Sequence, residues 1–166
     1  MGRYGPTVAV PRILETYRRL GIKQSFFVPG WCIETYPDAV EAILAGGHEI
    51  GHHGYLHEDP INAPNQSAWF EKALEAHHKY CGGKPSGYRA PVYNINQEVL
   101  DLLVKHGFRY DSSMMADDIP YRLETSEGQL WEMPVHWGTD DWPPFAHYSE
   151  IGYMMPVAGP SKGLSG

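Results

Sequence analysis

The chain has 166 residues, which is enough for one domain with a buried core. Its net charge of -7 at pH 7, with no basic cluster, makes nucleic acid an unexpected partner. The sequence contains no apolar run of membrane-spanning length and no signal-like start, so we expect no membrane contact. Two isolated cysteines cannot build a disulfide framework or a Cys-x-x-Cys metal motif, which favours a reducing, cytoplasmic location.

Helices and strands alternate along the chain. Helices are predicted where apolar residues recur at helical spacing between a proline or N-cap residue and a glycine. Short aromatic or β-branched runs that end in turn residues predict strands. In chain order the predicted elements are a helix over residues 11–21, a strand over 22–28, a helix over 37–44, a strand over 48–51, a helix over 67–80 with Ser67 as N-cap, a strand over 87–91, a helix over 96–106, and strands over 108–113 and 130–135.

This alternation predicts an α/β fold with a largely parallel sheet. A polar or histidine-bearing segment follows every predicted strand but the first, as in a (β/α) barrel or an open α/β sheet. Residues 2–6 are predicted to form a loop. The last twenty residues show no clear period, and we expect an irregular tail over residues 148–166.

The most informative stretch runs from residue 48 to residue 59 (HEIGHHGYLHED) and contains four histidines within ten positions. Histidine is the commonest metal ligand and binds as the neutral imidazole. His53 and His57 have a spacing that places two side chains on one side of a helical turn or at the two ends of a tight loop. The run follows a predicted strand, where α/β proteins bind ligands. We therefore predict His53 and His57 as metal ligands.

Neighbouring side chains receive other roles. Glu49 alternates with an apolar residue along the predicted strand and is not expected to be a ligand. His52 points away from His53 if the backbone is extended, so it is assigned to supporting the site or to binding and orienting the substrate. His77 and His78 are adjacent on a predicted helix and cannot face one ion together, so both are predicted as surface or rim residues. The alternative for the whole run is a solvated surface tract.

Six segments carry a family resemblance: residues 10–14 (VPRIL), 25–30 (SFFVPG), 47–60, 87–91 (GYRAP), 107–114 and 137–144. In order and spacing they resemble the polysaccharide deacetylase (NodB-homology) superfamily, carbohydrate esterase family 4. The similarity is greatest to the cytoplasmic branch that includes the Helicobacter-type peptidoglycan deacetylase and the cyclic-imide and allantoin hydrolases. The histidine run is the most specific of these segments, and the resemblance covers roughly residues 2–147.

The resemblance implies a distorted (β/α) barrel and a divalent metal, usually Zn²⁺, held by one aspartate and two histidines. The two histidines match His53 and His57. The family's arginine, which pairs with the catalytic-base aspartate, matches Arg89, and the backbone near Val92 is the expected source of an oxyanion-stabilising N–H. The residues that match the substrate groove or add an aromatic wall to it are Tyr93, Trp137, Asp140 and Trp142.

Two features of the family have no counterpart in this sequence. The metal-binding and catalytic-base aspartates of the family lie on a strand that precedes the segment beginning here, and its late histidine acid lies beyond residue 166. The resemblance therefore implies a partial barrel over residues 1–147 that lacks the first strand and the last βα units. Arg89 would then either be solvated through the open barrel edge or pair with another carboxylate. The candidates by strand-end position are Asp59, Asp111, Asp140 and Asp141, with Asp140 preferred as the catalytic partner.

Three functions are compatible with these observations. The first is a metal-dependent hydrolase of non-peptide amide bonds, which N-deacetylates an amino sugar or polysaccharide or opens a cyclic amide with metal-activated water. The second is a catalytically silent remnant that keeps partial metal binding. The third is a non-catalytic carbohydrate-binding module that uses Tyr93, Trp137 and Trp142. Because a missing first strand would leave a parallel edge unpaired, we also expect that the protein forms a homo-oligomer or needs a partner segment to cover this edge.

Overall fold

The computed structural model describes residues 3–140. Contacts divide the chain into two units, residues 1–134 and residues 135–166. Of the second unit only residues 135–140 are described, and they include a short 3₁₀ helix at Trp137–Thr139. The irregular tail expected over residues 148–166 lies outside the described residues, and the domain boundary at residue 147 stays a prediction. No helix within residues 3–140 has the length and apolar character needed to cross a membrane.

In the part of the chain that the structure describes, six strands form one sheet in the order β1-β2-β3-β4-β6-β5. All neighbouring pairs are parallel except β5 and β6, which form an antiparallel hairpin. The parallel sheet expected from the alternation of elements is thus confirmed, and a hairpin partner for the last strand is added. The strands are Ser25–Val28 (β1), Glu49–His52 (β2), Gly87–Tyr88 (β3), Tyr110–Asp111 (β4), Tyr121–Thr125 (β5) and Gly128–Glu132 (β6).

Residues 3–140 contain five α-helices, of which the first precedes β1 and the others lie between strands: Val10–Leu20 (α1), Gly30–Thr35 (α2), Pro37–Ala45 (α3), Gln66–Tyr80 (α4) and Gln97–Lys105 (α5). Four of them lie within a few residues of their predicted positions. The fifth, α2, was not predicted, because six residues are too few to show a helical period.

Two local predictions at helix starts were wrong. Residues Gly5–Ala9 form a π-helix that runs directly into α1 where a loop was expected, because Pro6 is tolerated in a first helical turn. The N-cap of α4 is Asn65 in the left-handed region (φ 61°), not Ser67. At α5 the cap is conventional, since the Asn96 side chain accepts a hydrogen bond from the Val99 N–H at 3.0 Å.

The helices cover one face of the sheet. One apolar cluster joins α4 and α5 to β3 and β6, and a second joins α2, α3 and α4 to β2. The opposite face carries Ser25, Phe27, Glu49 and Tyr110, which line an open recess of about 450 Å³. On this face the Glu49 carboxylate accepts hydrogen bonds from the hydroxyls of Ser25 and Tyr110. Within residues 3–134 the sheet therefore has the α/β arrangement of a partial barrel and does not close.

Candidate active site

Two loops at the same edge of the sheet carry most of the predicted site residues. The first follows β2 and contains His53 and His57, and the second follows β3 and begins at Arg89. Strands β2 and β3 are parallel neighbours, with His52 in register with Tyr88, so their carboxyl ends lie side by side. A parallel sheet therefore brings together residues that are more than thirty positions apart in sequence.

His53 is oriented by the second loop. Its Nδ1 lies 2.7 Å from the carbonyl oxygen of Arg89. Because a carbonyl can only accept, Nδ1 carries the proton and Nε2 keeps its lone pair. Burial lowers the pKa of His53 to about 4, so the ring is neutral at pH 7. A neutral imidazole that donates its other N–H to a carbonyl is the form in which histidine usually binds a metal.

His57 lies beside His53, with ring centroids 4.9 Å apart and ring planes at 73°. Of the two geometries left open by the spacing, the structure has the tight loop, because His57 adopts a left-handed backbone (φ 62°). The Glu58 carboxylate closes this loop by accepting the Tyr55 N–H at 2.9 Å and the Leu56 N–H at 2.6 Å. Glu58 was not predicted. The sequence signal that could have indicated its role is its position in a short loop, directly after the candidate ligand His57.

His52 supports this loop from inside the protein. It is only 1% exposed, so the prediction that it contacts the substrate is wrong, and the alternative supporting role agrees with its position. Its Nε2 donates to the Phe70 carbonyl at 3.1 Å and its Nδ1 accepts the Gly54 N–H at 3.2 Å. Burial lowers the pKa of His52 to about 3. Strand alternation turns His52 toward the helices and places His53 at the loop.

The prediction for the histidines of α4 was half wrong. His78 is exposed as expected, but His77 is fully buried. The His77 ring stacks on His52, with centroids 5.8 Å apart and planes at 8°. Neither ring nitrogen of His77 has a hydrogen-bond partner among the described residues. Burial lowers the pKa of His77 to about 4.

Arg89 interacts with serine and aromatic groups. Its Nε donates to the Ser112 carbonyl at 2.9 Å, its Nη2 donates to Ser112 Oγ at 2.7 Å, and its guanidinium lies 4.4 Å from the centre of the Phe27 ring. Within residues 3–134 the ion pairs are Arg18–Glu15 and His106–Glu71, so no carboxylate of this unit pairs with Arg89. Instead of a carboxylate, an aromatic ring and two oxygen acceptors stabilise the guanidinium.

Two of the carboxylates proposed as partners of Arg89 have other roles. The Asp59 carboxylate accepts the side-chain N–H groups of Asn62 at 2.7 Å and Asn94 at 3.0 Å, and the second contact joins the two loops. Asp111 is fully buried and accepts hydrogen bonds from Ser113. Asp140 belongs to the second unit, and its assignment as the catalytic partner stays a prediction. Asp141 lies outside the described residues.

The turn after Arg89 has a strained backbone. Val92 (φ 52°) and Tyr93 (φ 59°) are in the left-handed region, which is unusual for a β-branched residue. Strain of this kind occurs preferentially at functional sites, although an oxyanion-binding role for the Val92 N–H remains a prediction. The Tyr93 ring lies 6.0 Å from the Arg89 guanidinium. Trp137 belongs to the second unit and Trp142 lies outside the described residues, so the proposed aromatic groove is also untested.

The described residues bring two candidate metal ligands together and no third. Within residues 3–140 no group of three or more His, Cys, Asp or Glu side chains is arranged to hold an ion. A catalytic zinc usually has three protein ligands and an open position. The donor chemistry of the pair formed by His53 and His57 fits two of those ligands, and the third would have to come from elsewhere.

The fold and the histidine loop define the class of protein. Residues 4–110 match the polysaccharide deacetylase family, and the chain belongs to that family. The resemblance predicted from the six sequence segments is thereby confirmed.

Particular relatives support the same assignment. The chain is 33% identical to the peptidoglycan deacetylase of Helicobacter pylori, over 93% of this chain and 63% of that protein. A Mycobacterium smegmatis protein assigned as a polysaccharide deacetylase superimposes with a TM-score of 0.82 and 39% identity, over 89% of this chain and 52% of that one. Puue allantoinase superimposes with a TM-score of 0.74 and 25% identity, over 83% of this chain and 47% of that one. The chain therefore spans between about half and two thirds of the length of these relatives.

Proposed function

We propose that this chain forms part of a metal-dependent hydrolase that cleaves the amide bond of an N-acetylated amino sugar in a glycan. The orientation of His53 is the observation that carries the proposal. Its Nδ1–H is held by the Arg89 carbonyl, and its Nε2 is left with a free lone pair beside a second imidazole. Family membership and the names of the curated relatives support the amide substrate.

His53 and His57 would hold the ion, which is most simply Zn²⁺, and a third ligand would come from outside residues 3–134. A bound zinc ion supplies a Lewis acid that polarises the amide carbonyl and lowers the pKa of water. Arg89 belongs to the loop whose carbonyl orients His53, and its guanidinium can orient a carboxylate base there. The Val92 peptide can donate to a developing oxyanion. The neutral state of His53 at pH 7 keeps the site ready for a cation without prior loss of a proton.

The substrate is proposed to be a glycan, with a cyclic amide as the alternative. The peptidoglycan deacetylase of H. pylori favours the first, and the similarity to Puue allantoinase favours the second. Two parallel assays distinguish these substrates. One measures acetate release from N-acetylglucosamine oligomers, and the other measures ring opening of a cyclic amide.

The test of the proposal compares two histidine variants. The protein with added Zn²⁺ is expected to release acetate or open the ring, and His53→Ala is expected to remove this activity. His78→Ala is the matched control, because His78 is an exposed histidine on α4. Equal activity of His53→Ala and wild type would exclude His53 as a ligand.

A catalytically silent, metal-binding protein is the second candidate. It is favoured by the missing third ligand and by the lack of a carboxylate partner for Arg89 within residues 3–134. Its expected signature is bound zinc that disappears in His53→Ala, without acetate release or ring opening. Glycan binding that needs no metal would instead support the carbohydrate-binding module.

We also propose that the protein self-associates through the edge of the sheet at β1. Among the described strands, β1 pairs with β2 on one side and has no partner on the other. An unpaired strand edge presents N–H and C=O groups to other chains. Light scattering across a concentration series tests this, and a mass that stays monomeric at the highest concentration would contradict it.

A further inference from the structure

A buried acidic pair at the ends of β4 and β6 has no role in the proposed chemistry. Asp111 and Glu132 are in register on these parallel strands, and both are fully buried. Burying a carboxylate without partners is costly, so such a pair requires an explanation. The contacts of Asp111 provide one, because they lead to the active-site loops.

Three hydrogen bonds connect Asp111 to His53. The Ser113 hydroxyl donates to Asp111 Oδ1 at 2.7 Å and accepts the Ala90 N–H at 2.9 Å. The Ala90 N–H and the Arg89 C=O belong to one peptide group. That C=O accepts the His53 Nδ1–H at 2.7 Å. The chain of contacts therefore runs from the carboxylate through a hydroxyl and a single peptide to the imidazole.

The direction of the bonds follows from the Ala90 N–H, which can only donate. The Ser113 oxygen accepts this N–H, so the serine proton points toward the Asp111 carboxylate. Hydrogen bonds in series polarise one another. A carboxylate behind a ligand histidine commonly fixes its tautomer and ring orientation, and here a serine and a peptide stand between the two groups.

We propose that Asp111 and Ser113 are positioning residues for His53, which hold the peptide between Arg89 and Ala90 so that Nδ1 keeps the proton and Nε2 stays available. The assignment of a metal to Nε2 rests on the proposed function, whereas the tautomer does not. Ser113 also donates its backbone N–H to Asp111 Oδ2 at 3.1 Å, so the carboxylate is held on both oxygens.

Glu132 completes the arrangement. Burial and the neighbouring Asp111 raise the pKa of Glu132, so it retains a proton at neutral pH. Its Oε1 accepts the Met114 N–H at 3.1 Å, and as a neutral acid it can donate its proton to Asp111. Burial raises the pKa of Asp111 as well, whereas its hydrogen bonds from Ser113 act in the opposite direction. With one proton shared by the pair, these serine donors favour the negative charge on Asp111.

Ser112 provides a matched control. It is the adjacent serine, it is equally buried, and its hydroxyl also bonds to the Arg89 segment. That hydroxyl accepts from Arg89 Nη2 and donates to the Met133 carbonyl at 2.7 Å. It does not contact the peptide that faces His53, so Ser112→Ala removes a comparable hydrogen bond outside the proposed path.

The test is nitrogen-15 NMR of the histidine rings in the metal-free protein at pH 7.5, where His53 is neutral. Wild type and Ser112→Ala are expected to show His53 as the Nδ1–H tautomer. Ser113→Ala is expected to shift His53 toward the Nε2–H tautomer, and Ser113→Thr, which restores the hydroxyl, is expected to restore the Nδ1–H signal. Retention of the wild-type tautomer in Ser113→Ala, or an equal shift in Ser112→Ala, would overturn the proposal.

Asp111→Asn serves as the second variant if Ser113→Ala does not fold. The amide keeps an acceptor for the serine proton but removes the charge, so a smaller shift of the same sign is expected. Zinc titration is the second readout, with affinity expected to fall roughly tenfold in Ser113→Ala, as for other outer partners of ligand histidines. If wild type binds no zinc, the proposed function fails, while the tautomer measurement still decides the positioning role.

Discussion

The protein contains two pairs of neighbouring histidine rings that have opposite environments. In the pair formed by His53 and His57 the rings meet edge to face on a loop, and His57 is exposed to solvent. In the pair formed by His52 and His77 the rings are stacked and almost fully excluded from water. One pair has a free nitrogen for a ligand, and the other is part of the core.

The difference between the pairs comes from the surroundings and not from the residue type. His52 and His53 are adjacent, yet the alternation of the strand sends one ring under α4 and leaves the other at the loop. The His52 nitrogens are both used by backbone groups, whereas His53 uses only Nδ1. A histidine cluster in a sequence is therefore a mixture of structural and chemical roles, and each member has to be assigned separately.

The largest expected effect concerns the buried pair and pH. Since the folded-state pKa of His77 is lowered to about 4 from 6.5, the unfolded chain binds more protons below pH 6.5, and stability is lost as the pH falls through that range. The free energy of unfolding of His77→Leu, relative to that of wild type, should therefore rise by about 3 kcal/mol between pH 7 and pH 4. Urea unfolding at both pH values measures this.

The test compares His77→Leu with wild type because the buried pair Asp111 and Glu132 changes stability with pH in the opposite direction. The raised pKa of Glu132 adds stability as the pH falls from the alkaline side, so the wild-type curve alone mixes both effects. An advantage of His77→Leu that does not change with pH would show that His77 is not a buried neutral ring.

The next effect separates the two adjacent histidines by stability. His52→Ala removes a buried ring and two hydrogen bonds and should lower the free energy of unfolding by about 3 kcal/mol. His53→Ala, at the loop, should cost about 1 kcal/mol or less. Chemical denaturation of both variants at pH 7 measures the difference, and equal losses would erase the distinction between a core and a site histidine.

Zinc affinity separates His53 from the exposed histidine of α4, His78. His53→Ala should weaken zinc binding by at least roughly 100-fold. Loss of a residue that only supports a ligand already costs up to about 100-fold, and a direct ligand should cost more. The control His78→Ala should leave the affinity unchanged, because that ring lies on the exposed side of α4. Competition with a chromogenic chelator measures both, and a loss shared by the two variants would indicate nonspecific zinc binding.

The smallest expected effect is a gain. Both ring nitrogens of His77 are buried without a partner among the described residues. Replacing the ring by leucine, which has no polar atoms, should raise stability at pH 7 by about 1 kcal/mol. Thermal and urea unfolding measure this, and a loss of stability would reveal a hydrogen bond to His77, such as one from a buried water.

Much of the secondary structure was predictable because it depends on local patterns. Helices α1 and α5 have both an apolar period and end signals, and α1 ends at Gly21 in the left-handed region (φ 68°) as expected. Strand β5 was missed because its half-exposed residues alternate without an apolar run. The roles of His77 and Ser113 were not predictable, since each depends on a partner that the sheet or a helix brings from more than twenty residues away.

Six short segments were enough to recognise the family, and short-range periodicity was enough to predict the alternation of strands and helices. Spacing also pointed to His53 and His57 as the candidate ligands, which stays a prediction. Folding was needed to show that His48 and His52 are the buried histidines of the run, that Arg89 bonds to Ser112 and lies on Phe27, and that Asp111 is linked to His53. Burial and hydrogen-bond partners depend on neighbouring strands, and a parallel sheet joins strand ends that are far apart along the chain.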